Sequence, residues 1–141
     1  MVEQAGMFGA IAEEFEGFDF EATSSAEERN ALWQARHDMY WASLQLRPGA
    51  KGISTDVCVP ISKLAECVGA AREKAEDMGL LAPMVGHVGD GNFHALLLID
   101  MDSDAERQKA DEYIGWLNEM AIEMDGTCTG EHGVGYGKME F

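Results

Sequence analysis

The sequence predicts an α+β fold: a mainly antiparallel sheet with helices on one face. Three observations predict it. Two capping boxes, Ser25 with Glu28 and Ser103 with Glu106, each open a long helical pattern. The run from Ile53 to Val59 alternates apolar and polar residues, as a half-buried strand does. Asp90-Gly91 separates two apolar runs, 82–88 and 92–100, as a hairpin turn does. The resulting order is helix, strand, helix, strand, helix, hairpin, helix.

Taken along the chain, a short helix is expected before Gly17. Phe18, Phe20 and Ala22 alternate weakly and mark a weak strand. The helix opened at Ser25 runs to about Leu46, where Pro48-Gly49 stops it. Ile53, Thr55, Val57 and Val59 then alternate with Ser54, Asp56 and Cys58. Pro60 suits the first turn of the next helix, because a helix start needs no N–H there. Its apolar stripe is Ile61, Leu64, Val68, Ala71, Ala75 and Met78, and Gly79 ends it. The last helix carries Ala110, Tyr113, Ile114, Leu117, Met120, Ala121 and Met124 on one face and is closed by Gly126.

A length of 141 residues fits one domain with a real core. The 46% hydrophobic and 26% charged composition is that of a globular chain. A formal charge of -16 argues against nucleic acid and against anionic membrane surfaces, both of which need a basic footprint. No apolar run approaches the roughly 20 residues of a membrane span. The acidic stretch Met1 to Ala12 lacks the basic start of a signal peptide. Three cysteines, an odd number with no C-x-x-C spacing, read as free thiols in a reducing compartment. The nine methionines read as core residues, and the scattered acids as solvated helix surface.

The chemistry concentrates in two glycine-rich segments. The first is Gly86-His87-Val88-Gly89-Asp90-Gly91-Asn92-Phe93-His94; the second runs from Gly126 to Gly135 and contains Glu131-His132. If Asp90-Gly91 is a two-residue loop, His87 faces His94 directly, with Cβ atoms about 4.5–5.5 Å apart. Two imidazoles at that separation can share a divalent ion, and Glu131 is the candidate third ligand. Two histidines and a carboxylate leave coordination positions open, as catalytic metals need. In an extended segment the Glu131 and His132 side chains point to opposite sides. His132 is then free for proton transfer near neutral pH. Arg36 shares a helix face with Trp33 and Tyr40, and its guanidinium can hold a carboxylate through two hydrogen bonds, although a surface arginine has the same spacing. Lys51, just after Pro48-Gly49, is a second cation of the same ambiguity. His37 reads as a solvated helix residue. Spacing alone selects neither the metal nor the reaction, and a metal-dependent hydrolase would use the same ligands.

Both segments resemble signatures of the C-terminal domain of FAD-linked oxidases of the vanillyl-alcohol-oxidase superfamily. Gly86 to His94 resembles G-H-x-G-D-G-N-x-H, and Gly130 to Gly135 resembles G-E-H-G-x-G. Ala31-Leu32-Trp33-Gln34-Ala35-Arg36-His37 upstream strengthens this resemblance, and the run Arg47 to Pro60 narrows it, resembling the cytochrome-type D-lactate dehydrogenase branch. The resemblance implies a partial, ferredoxin-like domain spanning residues 1–141, with FAD carried on an N-terminal domain outside it. It implies zinc or manganese on His87, His94 and Glu131, proton abstraction by His132, and substrate carboxylate held by Arg36 with help from Lys51. The implied reaction is oxidation of D-lactate to pyruvate, with glycolate or D-2-hydroxyglutarate as alternative substrates and cytochrome c or a quinone as electron acceptor. The implied location is the bacterial cytoplasm, at the membrane periphery, or the mitochondrion in a eukaryote. Surface left open at the edges of a partial domain would favour association of copies. A freestanding metal-binding domain without turnover is the alternative reading.

Overall fold

The computed structural model describes residues 2–17, 20 and 22–141. The chain runs α1 (Val2–Glu14), α2 (Ala26–Leu44), β1 (Lys51–Ser54), β2 (Val57–Cys58), α3 (Ile61–Asp77), β3 (Met84–His87), a 3₁₀ turn (Val88–Asp90), β4 (Asn92–Ile99) and α4 (Asp104–Glu123). It divides into two compact units, Met1–Met39 and Tyr40–Phe141.

In the first unit, α1 ends where Glu16 takes a left-handed φ of 61° and the Gly17 N–H returns to the Ala12 carbonyl at 2.7 Å. The weak strand expected at 18–22 is not a strand at Phe20 or Ala22; Phe18 lies outside the described residues. The apolar character of Phe20 serves α1 instead. Its ring lies 5.3 Å from that of Phe8 and against Gly9. At the start of α2 the Ser25 hydroxyl accepts the Glu28 N–H at a long 3.4 Å. The Glu28 carboxylate takes the Thr23 hydroxyl, so the capping box is only half made. None of the described residues of α2 is buried.

The second unit is built around β4, buried at every position. One edge of β4 carries β1 and then β2 in a single antiparallel register, Ser54 across from Leu96 and Val57 across from Phe93. β3 lies on the other edge, since it pairs with the same Asn92 and Phe93 that β2 does. Alternation along β4 then divides its residues between two faces. Phe93, Ala95, Leu97 and Ile99 form the core with Leu64, Cys67, Ala71 and Ala75 of α3 and Ala110, Tyr113, Leu117 and Ala121 of α4. Both helices therefore cover one face of a four-stranded antiparallel sheet, the α+β arrangement expected. Asn92 and His94 point to the opposite face.

Helix ends are set locally. Pro60 is the N-cap of α3 rather than a first-turn residue. Ile61 is therefore exposed at 63%, and Cys67 joins the buried stripe. Gly79, at φ +66°, ends α3 with the two return bonds of a Schellman motif: Gly79 N–H to Glu76 O, and Leu80 N–H to Ala75 O. At the end of α4 the left-handed position falls on Asp125, φ 61°. Gly126 is needed one residue later, where a Cβ would stand 2.3 Å from the Cys58 carbonyl. Arg47 forks onto both oxygens of Glu106 at 2.6 and 2.9 Å and reaches the Leu98 carbonyl, tying the end of β4 to the start of α4.

Candidate metal centre

The hairpin between β3 and β4 is wider than a two-residue loop. His87 pairs with Asn92, and His94 pairs with Val85, with Val88 to Gly91 forming the connection. Gly91 takes φ +75° and closes the 3₁₀ turn; a Cβ there would lie 2.0 Å from the Val59 carbonyl. His87 and His94 are therefore diagonal neighbours, not directly opposed. The slip is by two residues, and side chains alternate with a period of two, so both imidazoles keep the same face. Their rings stand perpendicular, 5.9 Å apart.

His94 is oriented by a break in the ladder between β1 and β2. Thr55 N–H donates to the Ala95 carbonyl at 2.9 Å, as a strand residue should. In return, Ala95 N–H donates to the Thr55 hydroxyl, not to its carbonyl. The freed Thr55 carbonyl lies 2.9 Å from His94 Nδ1. With Nδ1–H donating there, Nε2 keeps its lone pair for an incoming ligand, the arrangement metal-binding histidines use.

The same register, continued past Ser54, puts Asp56 across from His94. Asp56 is 1% exposed and holds the second glycine-rich segment. Its Oδ2 accepts from the Thr129 hydroxyl (2.7 Å) and from the N–H groups of Gly130 (2.9 Å), Glu131 (3.0 Å) and His132 (2.8 Å). Its Oδ1 accepts from Asn92 Nδ2 at 2.8 Å. Burial pushes the carboxyl up. The N–H of His132, the Thr129 hydroxyl, the Asn92 amide and the N–H of Glu131 outweigh burial and hold it well below the usual carboxylate range. Thr127 exchanges backbone hydrogen bonds with Cys58, which docks this segment beside β2. Lys138 Nζ donates to the carbonyls of Asp56 and Cys128 and closes the far side.

Because successive N–H groups turn inward on one oxygen, the segment is not extended. The Glu131 and His132 side chains consequently do not diverge, contrary to the strand argument. Glu131 Oε1 lies 3.1 Å from His94 Nε2, 3.4 Å from His87 Nε2 and 3.8 Å from His132 Nε2. The His94 and His132 rings stack at 5.1 Å. Ligand atoms of His87, His94 and Glu131 all lie within 4.8 Å of one another. His94 is deep, His87 is half-buried, and Glu131 and His132 are open to solvent. A cluster of two imidazoles and a carboxylate at these distances can hold a divalent metal ion, with an open side toward solvent.

Residues 2–141 match the family model of FAD linked oxidases, C-terminal domain. The chain belongs to this family. It is 44% identical over 138 residues to a protein of Danio rerio named probable D-lactate dehydrogenase, mitochondrial, covering 98% of this chain and 28% of the relative. It is 39% identical over 139 residues to the D-lactate dehydrogenase [cytochrome], mitochondrial, of Arabidopsis thaliana, covering 99% and 24%. It is 31% identical over 145 residues to the glycolate oxidase subunit GlcD of Bacillus subtilis, covering 96% and 30%. The chain thus spans about a quarter to a third of the length of these relatives.

In this FAD linked oxidase C-terminal domain, Arg36 lies on α2 in the first unit, with its guanidinium 5.3 Å from the centre of the Trp33 ring. Lys51 opens β1 across from Ile99, five residues along β4 from His94, or roughly 17 Å of strand. β1 therefore does not carry Lys51 to the histidines; Ser54, at the other end, donates to the Thr55 carbonyl that faces His94. Asp56, Thr55 and Lys138 were not among the site residues read from the sequence. The lone carboxylate inside an alternating strand run, Ser54-Thr55-Asp56-Val57, was the signal for Asp56: a buried charge must be hydrogen-bonded to something. No sequence signal marked Thr55 or Lys138. Among the described residues, no helix is long and apolar enough to cross a membrane.

Proposed function

We propose that this chain is the substrate- and metal-binding portion of an FAD-dependent D-2-hydroxy acid dehydrogenase that oxidises D-lactate to pyruvate. The observation that carries the reading is the convergence of His87, His94 and Glu131 within 4.8 Å, with His132 Nε2 3.8 Å from the same Glu131 oxygen. The names of the Danio rerio and Arabidopsis thaliana relatives support D-lactate, and that of the Bacillus subtilis relative makes glycolate the competing substrate.

His87, His94 and Glu131 would hold a zinc or manganese ion, which supplies a Lewis acid for the substrate's hydroxyl and carboxylate oxygens. FAD, on the remainder of the parent protein, supplies the two-electron acceptor, with cytochrome c or a quinone taking the electrons onward. His132 takes the hydroxyl proton at Nε2. Its stack on His94 fixes the imidazole plane beside the ligands. Arg36 is the candidate for holding the substrate carboxylate on the sequence resemblance alone. Lys51 has no part in this proposal, because the strand places it away from the histidines. The mitochondrial names of the two eukaryotic relatives support a mitochondrial location if the source is a eukaryote.

Metal content by plasma mass spectrometry tests the site. About one zinc or manganese per chain is expected, and a His87→Ala, His94→Ala double variant should lose it. In the parent enzyme, His132→Ala should lower D-lactate turnover by about 10²–10⁴-fold at unchanged metal content. Unchanged turnover would remove His132 from its role, and faster turnover of glycolate would move the substrate assignment.

A further inference from the structure

We propose that Asp56 is the positioning residue of this site: its buried carboxylate holds residues 129–132 so that Glu131 and His132 meet His94 and His87. The effect on metal affinity rests on the metal reading above; the effect on the loop does not.

Geometry carries the inference. Five donors converge on one side chain, one on Oδ1 and four on Oδ2. They come from two parts of the chain: β4 through Asn92, and the loop through the Thr129 hydroxyl and three consecutive N–H groups. A third part supports the backbone of Asp56, through Lys138 on its carbonyl. All five donors are neutral, so they bind the carboxylate as a nest of dipoles binds an anion. Thr129 extends the arrangement, since its hydroxyl also accepts the Gly133 N–H at 2.9 Å. Two of the N–H groups held belong to Glu131 and His132 themselves. Where the Asp56 oxygen sits therefore decides where those two side chains start.

An acceptor-only group is required. In Asp56→Asn the amide oxygen can serve the loop, but the amide nitrogen then faces Asn92 Nδ2, donor against donor. Turning the amide over satisfies Asn92 and deprives the loop. Asn92 cannot easily move aside, because it is 5% exposed, its Nδ2 also donates to the Val57 carbonyl, and it lies against Gly130.

The test is residue-resolved amide hydrogen exchange on the whole chain, with zinc titration alongside. In the wild-type chain the amides of Gly130, Glu131 and His132 should be protected. Asp56→Asn should speed their exchange about tenfold or more and leave Ala95 and Leu97 of β4 unchanged. Zinc affinity should fall about 10–100-fold. Thr129→Ala, which removes one donor and keeps the carboxylate, should act in the same direction and less strongly, with Gly133 also released. Unchanged exchange at 130–132 in Asp56→Asn overturns the proposal. If Asp56→Asn also loses protection across β4, Thr129→Ala decides: faster exchange at 130–133 supports the proposal and unchanged exchange overturns it. A wild-type chain that binds neither zinc nor manganese, yet releases 130–132 in Asp56→Asn, removes the metal reading and leaves the positioning role standing.

Discussion

Residues 86–94 and 126–135 are both glycine-rich and both contribute to one cluster, but they are held by different forces. The first is held by its main chain. His87, Gly86 and Val85 lie in the β3–β4 ladder, and Gly91 turns the chain between them. The second leaves the sheet after Thr127 and hangs from a side chain, with four donors on one Asp56 oxygen. A ladder spreads its hydrogen bonds over many residues and is indifferent to most side chains. An anchor on one carboxylate concentrates them, so a single substitution reaches the whole segment. The segment built the second way carries the two most open groups of the cluster, Glu131 and His132.

That contrast can be broken at its glycines. Gly91→Ala should have the larger effect on stability. It forces a side chain into φ +75° and drives the Cβ to 2.0 Å from the Val59 carbonyl, a backbone atom. A loss of about 2–4 kcal/mol in urea denaturation is expected. A loss below about 1 kcal/mol would mean the hairpin is not held by this turn. Gly130→Ala should cost less stability, about 1–3 kcal/mol, and more of the site. Its Cβ would meet the Asn92 amide at 1.9 Å and lie 3.0 Å from an Asp56 oxygen. Metal binding should be lost in this variant while the far-UV spectrum stays unchanged. Equal damage to fold and site in the two variants would erase the contrast.

The smallest effect is expected at an ion pair that touches neither segment. The Arg47 guanidinium and the Asp100 N–H hold the Glu106 carboxyl down at about 2, from an ordinary value of 4.5. A carboxyl lowered on folding stabilises fully above its unfolded pKa and less as the pH falls toward its folded one. This contribution should therefore be present above pH 4.5 and fade between there and about pH 2. Asp56, also held low, acts in the same direction. Melting curves of Glu106→Gln against wild type across this range should converge on acidification. Parallel curves would show that the pair contributes nothing.

Much of the layout was legible in periodicity and caps. The α3 and α4 stripes, the Ser103 cap and the central apolar strand follow from local rules, because a 3.6 repeat states which helix face is buried and an apolar run beside a turn signal marks a buried strand. Phe20 was misread because its apolar side chain packs on α1 through its ring, an interaction without a period. The hairpin was misread by two residues because Val88–Asp90 forms a 3₁₀ turn, and Asp-Gly does not by itself set loop length. The face shared by His87 and His94 survived that error because an even slip preserves sides.

The sequence by itself determined the helices, the buried strand and the pairing of two glycine-rich segments with three histidines and a glutamate, since each depends on neighbours a few residues apart. Only the tertiary structure decided how those groups meet. The meeting depends on Asp56 reaching a loop more than seventy residues away and on Thr55 giving up a ladder carbonyl to His94. No local repeat records such contacts, because a buried carboxylate chooses its partners by distance and hydrogen-bond geometry after the sheet has formed.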